Sequence, residues 1–214
     1  MYARSPDNIL AEVRHVVDRH LIAGARANGC LHFVDDTFTY NPKRSLAIMN
    51  GMEGMGIPWR CEARADTITE PIAEAMAASG CVRVKVGVES GSPRILEAMH
   101  KGGTIDGIRR GVRMLQRHGL PVTGYLMAGL PGETDDDVRQ TLDFAKELAC
   151  DAYSLSLVVP YYGTALYNSA IQAGVPLDRA PWECFFHQND SMLLNHDLSE
   201  TLIQELWALD DLKR

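Results

Sequence analysis

The chain has 214 residues, 46% hydrophobic and 23% charged, a length and composition that suit one globular domain with a sizeable core. With 21 Lys and Arg against 28 Asp and Glu, its formal net charge of -7 argues against a phosphate-neutralising face, so no nucleic-acid partner is expected. No apolar run approaches the ~18 to 20 residues of a membrane helix, and "MYARSPDN" lacks the apolar core of a secretory signal, so no membrane span and a cytoplasmic location are expected.

The first segment, "SPDNILAEVRHVVDRHL", has apolar residues at helical spacing, with Ser5 and Pro6 as start signals. The short run "LHFV" (31–34) reads as a strand ending on Asp35 and Asp36. "PKRSLAIMNGMEGM" is helical, and "IPWRCEA" (57–63) is the second strand, with Arg64 and Asp66 at its exit. A helix over "TEPIAEAMAASG", opened by Thr69 and closed by Gly80, leads into "VRVKVGV" (82–88) and the strand end Glu89-Ser90. In that strand Val82, Val84, Val86 and Val88 alternate with Arg83, Lys85, Gly87 and Glu89, which places the charged set on one face. "TIDGIRRGVRMLQRHG" is the next helix, followed by "PVTGYLMAG" (121–129) as a strand, "TDDDVRQTLDFAKELA" as a helix and "AYSLSLVV" (152–159) as the fifth strand.

Such alternation implies parallel strands joined by right-handed crossovers. A doubly wound open sheet and a barrel both fit, and both place their chemistry at the C-terminal ends of strands. Here those ends read Asp35-Asp36, Arg64 to Asp66, Glu89-Ser90, Gly129 to Glu133 and Pro160 to Thr164, polar or glycine-rich where the strand starts are plain. A ring of such ends favours a barrel-like mouth, so residues 1–174 are expected to form a partial barrel. Residues 175–214 are expected to be an extension packed on it, holding an irregular segment with Trp182, Phe185, Phe186 and His187 and a last amphipathic helix.

The stretch "LMAGLPGETDDD" (126–137) joins an apolar run to three carboxylates through Gly129, Pro131 and Gly132. A glycine-rich turn before a helix suggests a phosphate cradle, but Asp135, Asp136 and Asp137 already occupy the positive helix end, with Thr134 as cap and Asp137 at the capping-box position. Glycines at a strand end also let a flat ligand lie against the backbone. With Glu89, Asp35 and Asp36 the mouth is acidic, which suits a nucleoside carrying positive charge, such as S-adenosyl-L-methionine.

The ordered motifs "FVDDTFT", "WRCEARADTI", "GCVRVKVGVESGSPRILEAM", "GYLMAGLPGET" and "VVPYYGTALY" resemble the radical S-adenosylmethionine superfamily. In detail they are most similar to its branch with a cobalamin-binding domain, which includes methyltransferases and an anaerobic ring cyclase. The resemblance implies a partial (βα)6 TIM-like barrel, with S-adenosylmethionine and a 4Fe-4S cluster at the strand ends. It implies that Glu89 and Ser90 meet the ribose hydroxyls, that Gly129 and Leu130 face the adenine and methionine parts, and that Val159 and Pro160 line the adenine side. Asp35 and Asp36 would face the ammonium and substrate, and Arg64 the ligand carboxylate. The residues themselves also permit plainer roles: Glu89 capping the "SGSP" turn, Asp35 and Asp36 binding loop amides, Arg64 in a surface ion pair.

The match has one gap. Superfamily members bind their cluster with C-x3-C-x2-C, whereas the cysteines here stand at 30, 61, 81, 150 and 184. The expectation is that the first strand, the cluster loop and any cobalamin-binding domain lie upstream of Met1, leaving "CLHFV" as an open sheet edge. The parent would then be a radical enzyme acting on an unactivated carbon, by methyl transfer or oxidative cyclisation on a small-molecule substrate, and this chain alone would be inactive. Three competing readings remain: a cluster-free nucleoside-binding module, a barrel lyase using Glu89, Asp36 and Arg64, and an inert interaction subunit.

Overall fold

The computed structural model describes residues 3–21, 29–179, 181, 185, 194–195 and 197–209. Trp182, Phe186 and His187 lie outside the described residues. The elements are α1 (Pro6–Val16), β1 (Leu31–Phe33), α2 (Pro42–Met52), β2 (Trp59–Arg64), α3 (Glu70–Ala78), β3 (Cys81–Glu89), α4 (Pro93–Ala98), α5 (Ile105–Arg117), β4 (Val122–Ala128), α6 (Asp135–Leu148), β5 (Ala152–Leu157), α7 (Ala165–Gln172) and α8 (Glu200–Trp207). The strands form one parallel sheet in the order β1-β2-β3-β4-β5, so each strand's neighbour in sequence is its neighbour in space. The expected α/β class and all five strands are present. The short helices α4 and α7 were not foreseen, because six and eight residues are too few to show a helical period clearly.

By packing, the chain divides into two compact units, Met1–Gly87 with Asp106–Thr123, and Val88–Ile105 with Gly124–Arg214. In the first, Ser5 caps α1 by accepting from the Asn8 amide, and α1 buries Ile9, Leu10 and Val13. An aromatic cluster anchors β1 and β2: Phe33 lies 4.9 Å from Phe38 and 5.5 Å from Trp59, with Phe38 5.4 Å from Trp59. Such pairs add about 0.5–1.5 kcal/mol each beyond area burial. The indole of Trp59, fully buried, donates to the Ser79 carbonyl at 2.9 Å and so ties β2 to the end of α3. Helix α5 approaches so closely that a Cβ on Gly111 would stand 2.1 Å from the Ala65 carbonyl oxygen.

Strand β3 alternates as the sequence implies from Val84 onward, but not at its start. Trp59 pairs with Cys81 while Arg60 pairs with Arg83, so β3 carries one extra residue opposite β2. That bulge turns Val82 outward to 43% exposure, whereas Val84, Val86 and Val88 are fully buried. The placement of Val82 with the buried valines is therefore corrected by the bulge, and the polar set Arg83, Lys85, Gly87 and Glu89 keeps the opposite, half-buried face.

In the second unit, Thr134 and Asp137 make the capping box foreseen for α6, and Ala149 closes that helix in the left-handed region at φ 48. Tyr153 on β5 sends its hydroxyl to the Ala145 carbonyl on α6 at 2.5 Å and accepts from the Cys150 amide at 3.1 Å. Its ring passes over Gly124, where a Cβ would stand 2.7 Å away. Helix α8 buries Leu202, Ile203 and Leu206, and the Ser199 amide just before it donates to Asp135 at 2.8 Å.

Candidate functional site

Strand β3 ends on Glu89, which holds φ 64, a left-handed conformation rare for a residue with a side chain. Its Oε1 lies 2.8 Å from the Lys101 ammonium, which follows α4, while Oε2 makes no hydrogen bond among the described residues. The next residues turn away toward α6. Ser90 is fully buried with its hydroxyl 3.0 Å from that of Thr141 and accepting from the Ser92 amide at 3.1 Å. The Gly91 amide donates to the Thr141 hydroxyl at 2.9 Å, and a Cβ there would stand 2.3 Å from the Gln140 carbonyl oxygen. The motif "ESGSP" thus divides: Glu89 keeps a reachable carboxylate, while the Ser90 hydroxyl serves the clasp between this loop and α6.

Asp137 organises the other side of that clasp. It accepts from the Ser92 hydroxyl at 2.6 Å, the Thr134 hydroxyl at 2.6 Å, the Thr134 amide at 2.8 Å, and Arg94. Burial alone would raise its pKa, but these donors outweigh burial and hold it well below the usual carboxylate range. Arg94 also donates to the Gly132 carbonyl at 3.0 Å, so the loop after β3 and the loop after β4 are stitched together.

The loop after β4 starts at Gly129, with φ 88. Its amide donates to Glu133 Oε2 at 2.6 Å and that of Leu130 at 3.2 Å, so the N–H groups expected to face a ligand are turned to a carboxylate of their own loop. The Glu133 and Leu130 carbonyls accept from the Asn195 side chain at 2.7 and 3.0 Å. Glu133 is buried and its Oε1 has no hydrogen-bond partner among the described residues. Burial pushes its pKa up against the pull of the two amides. A cleft of about 620 Å³ borders this loop, lined by Gly132, Glu133, Asp135, Asn195 and Asp197 among others. After β5, Val158 donates to the Ala128 carbonyl at 2.9 Å, Val159 is half-buried and Pro160 is buried.

Asp35, Asp36 and Arg64 belong to the first unit. Arg64 forks onto Asp66, with Nε 3.0 Å from Oδ1 and Nη2 2.5 Å from Oδ2, the ion-pair role the sequence also permitted. Asp35 lies 3.7 Å from Arg44, and Asp36 is exposed. Asp35 and Arg44 help line a cavity of about 460 Å³ bounded by α1 and β1, with Ile9, Val13, Leu31 and Phe33 in its wall.

Cys30 is exposed, Cys61 and Cys81 are buried, and Cys150 is half-buried; Cys184 lies outside the described residues. A hydrogen bond to Cys81, together with burial, raises the Cys61 thiol well above its ordinary range. Among the described residues no three Cys, His, Asp or Glu side chains converge on a possible metal position.

Sequence reasoning missed Lys101, Arg94, Thr141 and the inward role of Glu133. One signal was available: Asp137 and Thr141 stand at i and i+4 on a helix whose start was recognised, so both face the same way. Lys101 left no comparable mark, because its partner is fixed by the irregular turn after α4.

A parallel α/β chain whose strand ends carry a carboxylate, a clasped serine turn and a glycine-rich loop has the architecture of a barrel-type α/β domain. Residues 1–145 match the radical SAM superfamily, and the chain belongs to that superfamily. Members of it use S-adenosylmethionine and a 4Fe-4S cluster. The chain is 37% identical over 174 residues to an uncharacterized methyltransferase of Pyrococcus horikoshii, covering 80% of this chain and 38% of that protein. It is 28% identical over 138 residues to the bacteriochlorophyllide d C-12(1)-methyltransferase of Chlorobaculum tepidum, covering 64% of this chain and 30% of that one. Among solved structures, the radical S-adenosylmethionine methyltransferase TsrM of Kitasatospora setae, with cobalamin and a 4Fe-4S cluster bound, superposes with a TM-score of 0.73 at 18% identity, covering 97% of this chain and 47% of that one. The fold is thus the expected partial barrel of this superfamily, and the chain spans under half the length of these relatives.

Proposed function

We propose that this chain is the S-adenosylmethionine-holding part of a radical enzyme that acts on an unactivated carbon, by methyl transfer or oxidative cyclisation, in a parent protein that also uses cobalamin. The observation that carries the reading is Glu89: a carboxylate held at a strand end by left-handed backbone, with Oε2 left to accept a hydroxyl. A ribose edge needs such an acceptor, and strain of this kind persists where the surroundings over-determine it. The stitched loops after β3 and β4 support the reading, because they fix Glu89 and Gly129 on one scaffold. In this assignment Glu89 binds the ribose; Ser90 positions Glu89 through Thr141; the turn at Gly129 and Leu130, with Val159 and Pro160, takes the adenine. The assignment does not rest on Asp35, Asp36 or Arg64.

S-adenosylmethionine fits these residues; its sulfonium, when bound beside a low-potential cluster, supplies reductive cleavage or a methyl group. A 4Fe-4S cluster does not fit the described residues: their thiols do not converge in threes, and the Cys61 thiol is raised away from thiolate. No step is assigned to it here, and cluster ligands from the parent protein form part of the proposal. The same cysteine placement favours the second reading, a cluster-free nucleoside-binding module.

Equilibrium binding of S-adenosylmethionine to iron-free chain tests the proposal. The expected result is saturable binding that falls about tenfold in Glu89→Gln, the loss of one charge-assisted hydrogen bond. Absence of binding, or equal affinity in both proteins, would remove Glu89 from the site.

A further inference from the structure

The polar face of the first unit carries a feature that the nucleoside site does not use. The register sets His32 on β1 beside Arg60 on β2, and Arg60 beside Arg83 on β3, so three basic side chains stand in one row across three strands. Neighbouring strands are about 4.8 Å apart, which puts these groups within reach of one small ligand. Like charges directly opposite one another destabilise a sheet, and this row sits in a chain of net charge -7.

Arg83 donates to the neutral hydroxyl of Thr123 at 3.0 Å, and neither Arg60 nor Arg83 makes an ion pair among the described residues. The carboxylate in the following row, Glu62, lies 3.9 Å from His32 Nε2 and 3.8 Å from the Lys85 ammonium, within ion-pair range of both but too far for a hydrogen bond to either. His32 Nε2 is shut off from solvent and has no hydrogen-bond partner among the described residues. Burial, then Arg60, then Lys85 lower its pKa, and only Glu62 opposes them.

We propose that His32, Arg60 and Arg83 form an oxyanion site for a phosphate group, either free phosphate or a phosphate monoester. A planar carboxylate is satisfied by a single guanidinium fork, whereas a tetrahedral phosphate can receive donors from all three strands at once. The row lies near the starts of β2 and β3, while Glu89 is the last residue of β3, so this site and the nucleoside carboxylate occupy opposite ends of one strand. It therefore stands or falls independently of S-adenosylmethionine binding.

The test titrates the chain with inorganic phosphate and, separately, with phenyl phosphate, against chloride at equal ionic strength, reading calorimetric binding and the His32 ring resonances. His32→Asn assigns those resonances. Phosphate is expected to bind where chloride does not and to raise the His32 pKa, and Arg60→Gln or Arg83→Gln to weaken binding about tenfold. Comparable affinity for phenyl phosphate assigns the site to monoesters, and a preference for inorganic phosphate assigns it to the free ion. Phosphate and chloride acting alike on the wild-type chain, His32 resonances unmoved by phosphate, or wild-type affinity in both arginine variants would overturn the proposal. The wild-type readings stand even if a variant does not fold.

Discussion

Lys101 holds Glu89 by one carboxylate oxygen, 2.8 Å away, at a strand end where Glu89 takes up φ 64. A side chain in the left-handed region costs about 1 kcal/mol or more relative to glycine. Glu89→Gly is therefore expected to be more stable than Glu89→Ala by about 1 kcal/mol in urea unfolding, while both lose the nucleoside acceptor. Lys101→Ala should change stability by less than about 1 kcal/mol, because its ammonium is largely exposed. Equal stability of the Gly and Ala variants would show that the backbone at 89 stores no strain.

Gly91 is held against α6 by backbone, not by side chains that could rotate away. An alanine there would put its Cβ 2.3 Å from the Gln140 carbonyl oxygen and 2.7 Å from the Thr141 Cα. Gly91→Ala should lower stability by about 1–3 kcal/mol and loosen the Ser90 and Ser92 bonds with it. Gly103→Ala, with nothing within 4 Å of its Cβ, is the control and should leave the melting temperature nearly unchanged. A matching loss in both variants would assign the effect to chain flexibility instead of the clasp.

The division of "ESGSP" between an accessible carboxylate and a clasp marks how far the sequence was legible. Alternation of buried Val84, Val86 and Val88 with a polar set is a local pattern, so it placed Glu89 on the face away from those valines. The clasp is a contact between residues about fifty apart, and neither Ser90 nor Thr141 carries a local sign of the other. Val82 failed for a related reason: the bulge is set by the pairing of β3 with β2, not by β3 alone. At the loop after β4, the glycines announced a turn and Thr134 with Asp137 announced the helix. Nothing in the spacing told whether the Gly129 amide would face a ligand or Glu133.

Glu133 and Asp137 are pushed in opposite directions, which gives the loop after β4 two opposite pH signatures. The Glu133 pKa is raised, so its contribution is present below the unfolded value near 4.3 and is lost as pH rises through the folded value. The Asp137 pKa is lowered, so its contribution is present above about pH 4 and is lost as pH falls toward the folded value. In urea unfolding, wild type should gain on Glu133→Gln as pH drops from 7 toward about 4. It should lose its advantage over Asp137→Asn as pH drops further. Slopes of the same sign for both variants would contradict the assigned environments.

Cys61 and Cys81 are buried on adjacent strands, with the Cys81 thiol 3.5 Å from the Arg83 carbonyl, while Cys30 is exposed just before β1 and Cys150 lies in the other unit. The neighbouring Cys81 and burial favour the neutral thiol at Cys61, and partial desolvation raises the Cys30 thiol although that residue is exposed overall, whereas iron needs thiolate. Anaerobic reconstitution of this chain with iron and sulfide should therefore give no stoichiometric 4Fe-4S absorbance and no 5′-deoxyadenosine from S-adenosylmethionine. Alkylation of the native chain should reach Cys30 well before Cys61, which becomes reactive only on unfolding. A full complement of cluster with cleavage activity, or early labelling of Cys61, would show that these strands open enough to bring the thiols together, and would return the chain to the class of self-sufficient radical enzymes.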